Sequence, residues 1–372
     1  MKLVHLADLH LGKRVNGFSM IEDQKYILEE ILVMVEGEKI DTVLIAGDVY
    51  DKGVPSEQAV RLFDDFLCRL SRMGLQVYII SGNHDSEERV AFGGRLMDAS
   101  GIHFAPVYNG TIEPMYCGDA YGKIAIWPIP FLKPSDVNAK HPELSVGSYA
   151  EALQAVVDAM PMDPTQRNIA ISHQFIVGAQ KSGSEDIVSV GGVDEVPVSV
   201  YEPFDYVALG HLHGPQAIGR ETVRYSGSPL KYSFSEETQK KSVTVVELKE
   251  KGNVTVTEIP LLPRYELRSA EGYFNDFMSG EDSEDYLSVT LLDEEEIYGA
   301  KAILNGKYPN IMSLRYKRFE NVGENYDGSA PAAESKSQLE LFSDLYEKVL
   351  GSKPDEEQLG LMSGLIRKIW EG

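Results

Sequence analysis

Cysteine is nearly absent from this chain. Cys68 and Cys117 are its two thiols in 372 residues, and no motif pairs them, so a disulfide framework is not expected and a reducing compartment, the cytoplasm, is. Long apolar runs are missing too. Nothing approaches the roughly 20 apolar residues needed to span a bilayer, and no membrane partner is expected. The opening M-K-L-V-H-L-A-D reaches Asp8 too early for the apolar stretch of a signal peptide and reads as a first strand. Positive charge is scarce: 35 Lys and Arg stand against 58 Asp and Glu, a net charge of −23. Coating nucleic acid rests on Lys and Arg neutralising phosphates, so this balance argues against it. Bound cations or a basic partner could still supply local charge. No G-x-x-x-x-G-K-[ST] occurs, which excludes ATP binding by a P-loop. What is left, 43% hydrophobic and 25% charged, is the composition of a globular protein with one large domain and smaller additions.

Residues 2–7, 42–46, 77–81, 102–104, 124–129, 168–172 and 206–209 are short runs of Val, Ile, Leu and Ala. Such runs fit strands buried on both faces. Helical patterns lie between several of them, at 19–35 and at 56–73, where Pro55-Ser56 precedes Leu62, Phe63, Phe66, Leu67 and Leu70. This alternation predicts an α/β fold with functional groups at strand C-terminal ends. S-V-T-V-V-E-L and V-T-V-T-E-I-P (242–260) alternate by twos and predict an antiparallel hairpin around Lys251-Gly252-Asn253. A main domain over 1–262 is therefore followed by a small α+β unit over 263–320, with strands at 286–292 and 311–319 and a helix at 295–304. Its acidic runs, 281–285 and 293–296, read as solvated surface. Residues 321–337 are Gly-, Ser- and Ala-rich and read as a flexible linker. Beyond it, 338–372 reads as two amphipathic helices joined near Gly351-Ser352-Lys353-Pro354. Leu341, Phe342, Leu345, Tyr346 and Val349 form one stripe, and Leu359, Met362, Leu365, Ile366 and Ile369 another. Two short helices cannot bury both stripes against each other, so a helical docking partner is expected.

Five motifs follow the apolar runs. They carry Asp8 and His10 (L-A-D-L-H), Asp48 (I-A-G-D-V-Y-D), Asn83, His84 and Asp85 (I-S-G-N-H-D), His173 (I-S-H-Q), and His211 with His213 (A-L-G-H-L-H). In D-x-H and H-x-H the two side chains point the same way from an extended chain and can grip one ion. Gly47, Gly82 and Gly210 precede donors where the backbone must turn sharply. Two Asp, one Asn and four His without a thiolate suit Mn²⁺ or a similar divalent ion, with Fe, Co and Zn still open. Two ions about 3.5–4 Å apart, bridged by one carboxylate, can activate a water and hold phosphoryl oxygens during in-line attack. Asp48 is the natural bridge. Two divalent ions outweigh the charge of Asp8 and Asp48, so the site attracts a phosphate despite the acidic chain. With Asn83 as the donor, His84 is left to contact the phosphate or protonate the leaving oxygen, and Asp85 to orient its ring. His5 and His103, inside apolar strands, read as structural, and His141 as exposed. Lys13, Lys181 and Lys231 read as surface lysines. A phosphoesterase with two divalent metal ions is the class these residues describe.

H-L-A-D-L-H-L-G-K (5–13), G-D-V-Y-D (47–51), S-G-N-H-D-S (81–86), G-H-L-H (210–213) and R-Y-S-G-S-P-L-K-Y-S-F-S-E (224–236) narrow the class. Nearly end to end the chain resembles the SbcD family, the nuclease subunits of double-strand-break repair complexes within the calcineurin-like metallophosphoesterases. The Ser226-Gly227-Ser228-Pro229-Leu230 block separates it from generic phosphoesterases, and the G-N-H-E of protein phosphatases is absent. The resemblance implies a β-sandwich flanked by helices in α-β-β-α layers, an α/β fold, with a capping domain and a C-terminal helix pair. It implies a Mn²⁺-dependent nuclease, a 3′-to-5′ exonuclease on duplex DNA and an endonuclease on single strands or hairpins. Asp8, His10, Asp48 and His213 would hold one ion; Asp48, Asn83, His173 and His211 would hold the other; His84 would be the catalytic histidine. DNA and an SbcC-type ATPase, docked through 338–372, would be the partners. A homodimer within a heterotetramer would form through 56–73 and 89–99. Two other readings stand beside this one. A phosphodiesterase or phosphatase for small molecules would not need the added modules, and a scaffold without activity would lack donors.

Overall fold

The structure, a computed structural model, describes residues 1–183, 195–319, 338–350 and 353–370. Its chain divides into two compact units, Met1–Arg268 and Ser269–Gly372.

The first unit is built on two six-stranded sheets. In the first sheet, Lys2–Leu6, Thr42–Ala46, Gln76–Ile80 and Ile102–Phe104 run parallel in that order. The hairpin Ser242–Leu248 and Val254–Pro260 extends it antiparallel beyond Lys2–Leu6. In the second sheet, Gly122–Ile129, Arg167–His173, Tyr206–Gly210 and Arg220–Tyr225 are parallel neighbours, and Met115–Asp119 and Gln216–Ile218 close its edges antiparallel. Because side chains alternate along a strand, each sheet has an inner and an outer face. Leu3, Leu44, Tyr78 and Ile80 from one sheet join Ile124, Ile126, Ile169, Ile171, Tyr206 and Ala208 from the other in a single buried cluster. The outer face of the second sheet, with Trp127, Ala170, Val207 and Leu209, packs on Leu153, Val156 and Val157 of the helix Tyr149–Asp158. Helices Ile21–Gly37 and Glu57–Arg72 adjoin each other, and the latter touches Gln76–Ile80. Ser56 caps it by accepting from the Ala59 N–H at 3.2 Å, which satisfies one orphan donor of its first turn. These are the expected α-β-β-α layers.

Local differences have local causes. The span 89–99 is not one helix: short turns at Glu87–Val90 and Gly94–Met97 are separated by Gly93, whose φ is +75°. Strands Met115–Asp119 and Arg220–Tyr225 escaped notice because neither carries an apolar run. Helix Tyr149–Asp158 was also not foreseen.

The second unit contains a three-stranded sheet, ordered Leu267–Gly272, Tyr286–Leu291, Ile311–Tyr316, the latter two strands parallel. Its core gathers Leu287, Val289, Leu291, Leu304, Tyr308 and Ile311. The helix expected at 295–304 is only Ala300–Leu304, since Gly299 takes φ +69° and starts it late. A helix at Phe274–Ser279 was not expected. Helices Gln338–Leu350 and Glu356–Trp370 follow and touch each other. Leu341, Leu345 and Leu365 stay exposed on them. The linker expected at 321–337 and the turn residues Gly351 and Ser352 lie outside the described residues. Among the described residues no helix is long and apolar enough to cross a membrane.

Where the sheets meet, space is minimal. A Cβ on Gly210 would lie 1.9 Å from the Ala46 carbonyl oxygen of the opposite sheet. Ordinary overpacking costs about 1–3 kcal/mol, and backbone cannot yield as a side chain tip can. Gly210→Ala is therefore expected to lose at least about 3 kcal/mol of stability, read as a lowered urea midpoint at unchanged slope.

Candidate metal centre

Every donor named from the sequence arrives on the C-terminal side of a parallel strand. Lys2–Leu6 delivers Asp8 and His10, Thr42–Ala46 delivers Asp48, and Gln76–Ile80 delivers Asn83 and His84, all from the first sheet. Arg167–His173 ends on His173 and Tyr206–Gly210 leads into His211 and His213, from the second. The two sheets thus face their donors toward each other.

Delivery requires an unusual backbone. Asp8 (φ 53°), His10 (φ 45°), Asp48 (φ 49°) and His211 (φ 107°) all occupy the left-handed region, which non-glycine residues seldom adopt and which costs about 1–3 kcal/mol each. The surroundings hold them there. Asp8 N donates to Gly47 O at 3.1 Å and His10 N to Asp48 O at 2.9 Å. The side chain of Gln24 donates to His10 O at 2.8 Å, and Tyr232 Oη to Leu9 O at 2.6 Å. The glycines serve closeness as much as turning. Gly47 does have φ +85°, but at Gly82 the reason is space: a Cβ there would fall 2.1 Å from Asp48 Oδ1.

The donors converge. One carboxylate or imidazole atom from each of Asp8, His10 and His213 lies within 4.8 Å of the others; the same holds for Asp8, Asp48 and His173, and for His10, Asp48 and His84. Asp48 Oδ2 is 3.4 Å from His173 Nε2, 3.6 Å from His10 Nε2 and 3.9 Å from His84 Nε2. Asn83 Oδ1 is 3.0 Å from both His173 Nε2 and His211 Nδ1. His10 Nε2 and His213 Nε2 stand 3.1 Å apart. All of the Asp and His donors apart from His84 are buried.

Burial drives the electrostatics. It pushes Asp8 up to about 7, Asp48 adding to it and His173 and His213 opposing it. It also penalises charge on Asp48, yet the neighbouring His173, with His10 and His84, holds that carboxyl far below its usual range. Burial alone would lower His173, but Asp48 raises it to about 9. His211 falls to about 3 through burial and the neighbouring His173. The cluster thus holds two buried carboxylates against imidazoles pulled to opposite protonation states. Cations satisfy such a set together, because metal binding displaces protons from carboxylate and imidazole. The donor chemistry, all N and O with no thiolate, fits divalent ions.

Other expectations are redistributed. Asp85 was expected to orient the His84 ring; its carboxylate instead accepts from the N–H groups of Val49 (3.1 Å), Tyr50 (2.9 Å) and Gly82 (2.9 Å). His84 Nδ1 faces the Asp51 carbonyl at 3.2 Å. His5 is structural, bridging Tyr206 Oη (2.9 Å) and Leu209 O (3.1 Å). His103 is likewise bonded on both nitrogens, to Asp98 and Gln76. His141 is not simply exposed: its Nε2 meets Gly110 O at 2.7 Å. Lys231 is no surface lysine either; it is largely buried and donates to Glu237 O and Glu266. Lys13 pairs with Asp51 at 2.8 Å, and Lys181 is exposed with Nζ over the Phe175 ring. Sequence reasoning missed Glu236, which meets His213 Nδ1 at 3.0 Å, and Gln24 and Tyr232 behind His10. Glu236 and Tyr232 lie inside the Y-S-F-S-E block already singled out, where a buried acid among aromatic and small residues was the available signal.

Residues 1–215 match the calcineurin-like phosphoesterase family. The chain is similar to the SbcD component of the nuclease SbcCD from Staphylococcus epidermidis, with 33% identity over 333 residues and 88% of both chains covered. It is similar to the same component from Staphylococcus saprophyticus, with 32% identity over 327 residues and 86% of both covered. Among solved structures, a dimetal phosphatase from Danio rerio aligns at 12% identity and TM-score 0.43, over 70% of this chain and 99% of that one, a likeness too loose to bear on the argument.

Removing the Asp85 carboxylate strands three backbone N–H groups. A buried donor left unsatisfied costs about 1–3 kcal/mol, so Asp85→Ala is expected to destabilise the metal-free protein by roughly 3 kcal/mol or more. Equilibrium denaturation in urea with chelator present checks it.

Proposed function

Because the chain belongs both to the calcineurin-like phosphoesterases and to the SbcD family of nucleases, we propose that it is a DNA nuclease working with two divalent metal ions. The observation that carries this reading is the meeting of Asp8, His10, Asp48, Asn83, His173, His211 and His213 from both sheets in one cluster, on a chain similar to those nucleases over 88% of its length.

Asp8, His10, Asp48 and His213 would hold one ion, and Asp48, Asn83, His173 and His211 the other. Support comes from Asp48, whose Oδ2 approaches donors of both sets, and from Asn83, whose Oδ1 joins His173 and His211. Mn²⁺ is the proposed ion. Two such ions supply Lewis acidity toward phosphoryl oxygens and a water acidic enough to attack phosphorus.

The chain's own groups do the rest. Because a carbonyl only accepts, the Asp51 oxygen makes His84 Nδ1 the protonated nitrogen. Nε2 is left toward Asp48, on the donor side. His84 is only partly buried, so it can reach a phosphate oxygen and hold or deliver the leaving oxygen's proton. Asp85 acts through the backbone: by fixing the N–H groups of Val49, Tyr50 and Gly82 it sets the loops that bear Asp48 and Asn83.

The remaining readings are proposals from the family. They are 3′-to-5′ exonuclease action on duplex DNA and endonuclease action on single strands or hairpins, in the cytoplasm. Residues 263–320 would cap the DNA, and residues 338–372 would dock an SbcC-type ATPase. Two copies would pair within a heterotetramer. The exposed Leu341, Leu345 and Leu365 support docking.

With Mn²⁺ on end-labelled linear duplex DNA, stepwise loss from the 3′ end is expected, and Asp48→Asn should reduce it to background. Turnover of a small chromogenic phosphodiester with DNA left intact would overturn the nuclease reading. Deleting 338–372 is expected to leave Mn²⁺ binding intact while abolishing co-purification with the ATPase; undiminished co-purification would refute docking through that segment.

A further inference from the structure

In the donor cluster, the far nitrogen of His213 is hydrogen-bonded to a carboxylate. His173 Nδ1 meets the neutral Ala46 carbonyl at 2.8 Å, and His10 Nδ1 has no hydrogen-bond partner. His213 Nδ1 lies 3.0 Å from Glu236 Oε1, and Glu236 is fully buried. The other oxygen, Oε2, accepts from Lys241 Nζ at 2.5 Å. Lys241 is also buried, and its ammonium has His213 O (2.9 Å), Ser228 Oγ (2.9 Å) and Gln239 Oε1 (2.8 Å) within reach of its remaining donors.

A buried Lys–Glu pair is a poor way to gain stability, because desolvating two charges costs about as much as their attraction returns. Its placement is more informative than its energy. An ionised carboxylate can only accept, so Glu236 requires the proton on His213 Nδ1 and leaves Nε2 as the lone-pair nitrogen. That nitrogen points into the cluster, 3.1 Å from His10 Nε2. The same chain segment supports His10. Tyr232 Oη donates to Leu9 O at 2.6 Å, and its ring lies against both His10 and His213, with centroids 5.7 and 6.0 Å away. Through Tyr232, Glu236 and Lys241 this segment reaches both His10 and His213.

We propose that Glu236, clamped by Lys241, is a positioning residue that fixes the metal-facing nitrogen of His213 and thereby controls retention of one ion of the pair, the one held with Asp8, His10 and Asp48. This inference rests on the two-ion reading above. It makes the two sites unequal: the first depends on a charged support delivered by residues 228–241, while in the second His173 is held by a backbone carbonyl.

The test is Mn²⁺ binding by the full chain, followed by calorimetry and by electron paramagnetic resonance. The wild-type chain is expected to bind two ions and to show a spin-coupled pair. Glu236→Gln, which keeps the shape but not the charge, should weaken one ion about 10–100-fold, leave the other at wild-type affinity, and convert the coupled signal to that of an isolated ion. Two ions bound by the variant as tightly as by wild type would overturn the proposal, as would equal weakening of both. A wild-type chain that binds fewer than two ions would instead sink the two-ion reading itself. Should the variant not fold, nitrogen-15 spectra of the histidines in the Zn²⁺-loaded wild-type protein decide. His213 should carry its proton on Nδ1 and bind through Nε2, and binding through Nδ1 would overturn the proposal.

Discussion

The arrangement hangs on one contact between the sheets. His173, at the end of a strand in the second sheet, donates from Nδ1 to the carbonyl of Ala46, at the end of a strand in the first, over 2.8 Å. That bond fixes the His173 tautomer, so Nε2 turns to Asp48 and Asn83. It also brings the strand ends so near that neither Gly47 nor Gly210 could carry a Cβ without meeting His173 Nδ1 at 2.5–2.6 Å. Sandwich sheets pack about 10 Å apart at their centres, too far for short Asp and Asn side chains to meet across. The glycines let the ends converge locally, and convergence is what turns separate motifs into one cluster.

Convergence is expensive, and the structure shows where the cost falls. Four donors sit at positive φ, and two carboxylates are buried close together: burial disfavours charge on both, and Asp48 adds to the tendency of Asp8 to hold a proton. The opposing contributions come from imidazoles of both sheets and from the packed cluster of Leu, Ile, Val and Tyr between the sheets. A backbone held this firmly needs little rearrangement when charge arrives, which is what a preorganised site requires. Strain, burial and the inter-sheet core are therefore one device: the apolar layer holds the strand ends, and the strand ends hold the donors.

Much of this was legible in the residues. Apolar runs placed the buried parallel strands to within a residue or two, because a strand covered on both faces must be apolar throughout. Motif order named the residues that converge at the strand ends, although Asp8, His10 and His211 reach the cluster from left-handed backbone and not from the extended chain that D-x-H and H-x-H suggested. What escaped notice lacked those signals. Arg220–Tyr225 opens with charged residues on its exposed end, and Met115–Asp119 is an edge strand with alternating exposure. The late start of the helix at Ala300 depends on one glycine's φ. The backbone bonds of Asp85 were not legible, because adjacency to His84 in sequence suggested adjacency of side chains. Neighbouring residues at the end of a strand diverge, and its carboxylate turned back to the loops. Glu236 was missed for the opposite reason: it is 23 residues from His213 in sequence yet in contact with it.

The charge balance carries the last step. A net charge of −23 would repel a polyanion from most of this surface, and at physiological salt that repulsion is screened beyond about 8 Å. A phosphate therefore needs attraction only over the last few ångströms, where the local charge differs from the global one. Under the two-ion reading the cations outweigh Asp8 and Asp48, and the imidazoles add donors without adding negative charge. Glu236 is the exception, a third carboxylate beside the cluster, and Lys241 at 2.5 Å cancels its charge. A carboxylate can thus tune His213 without making the site less attractive to phosphate. A neutral amide in its place could not demand the same tautomer, and an unpaired acid would weaken the field that draws the substrate in.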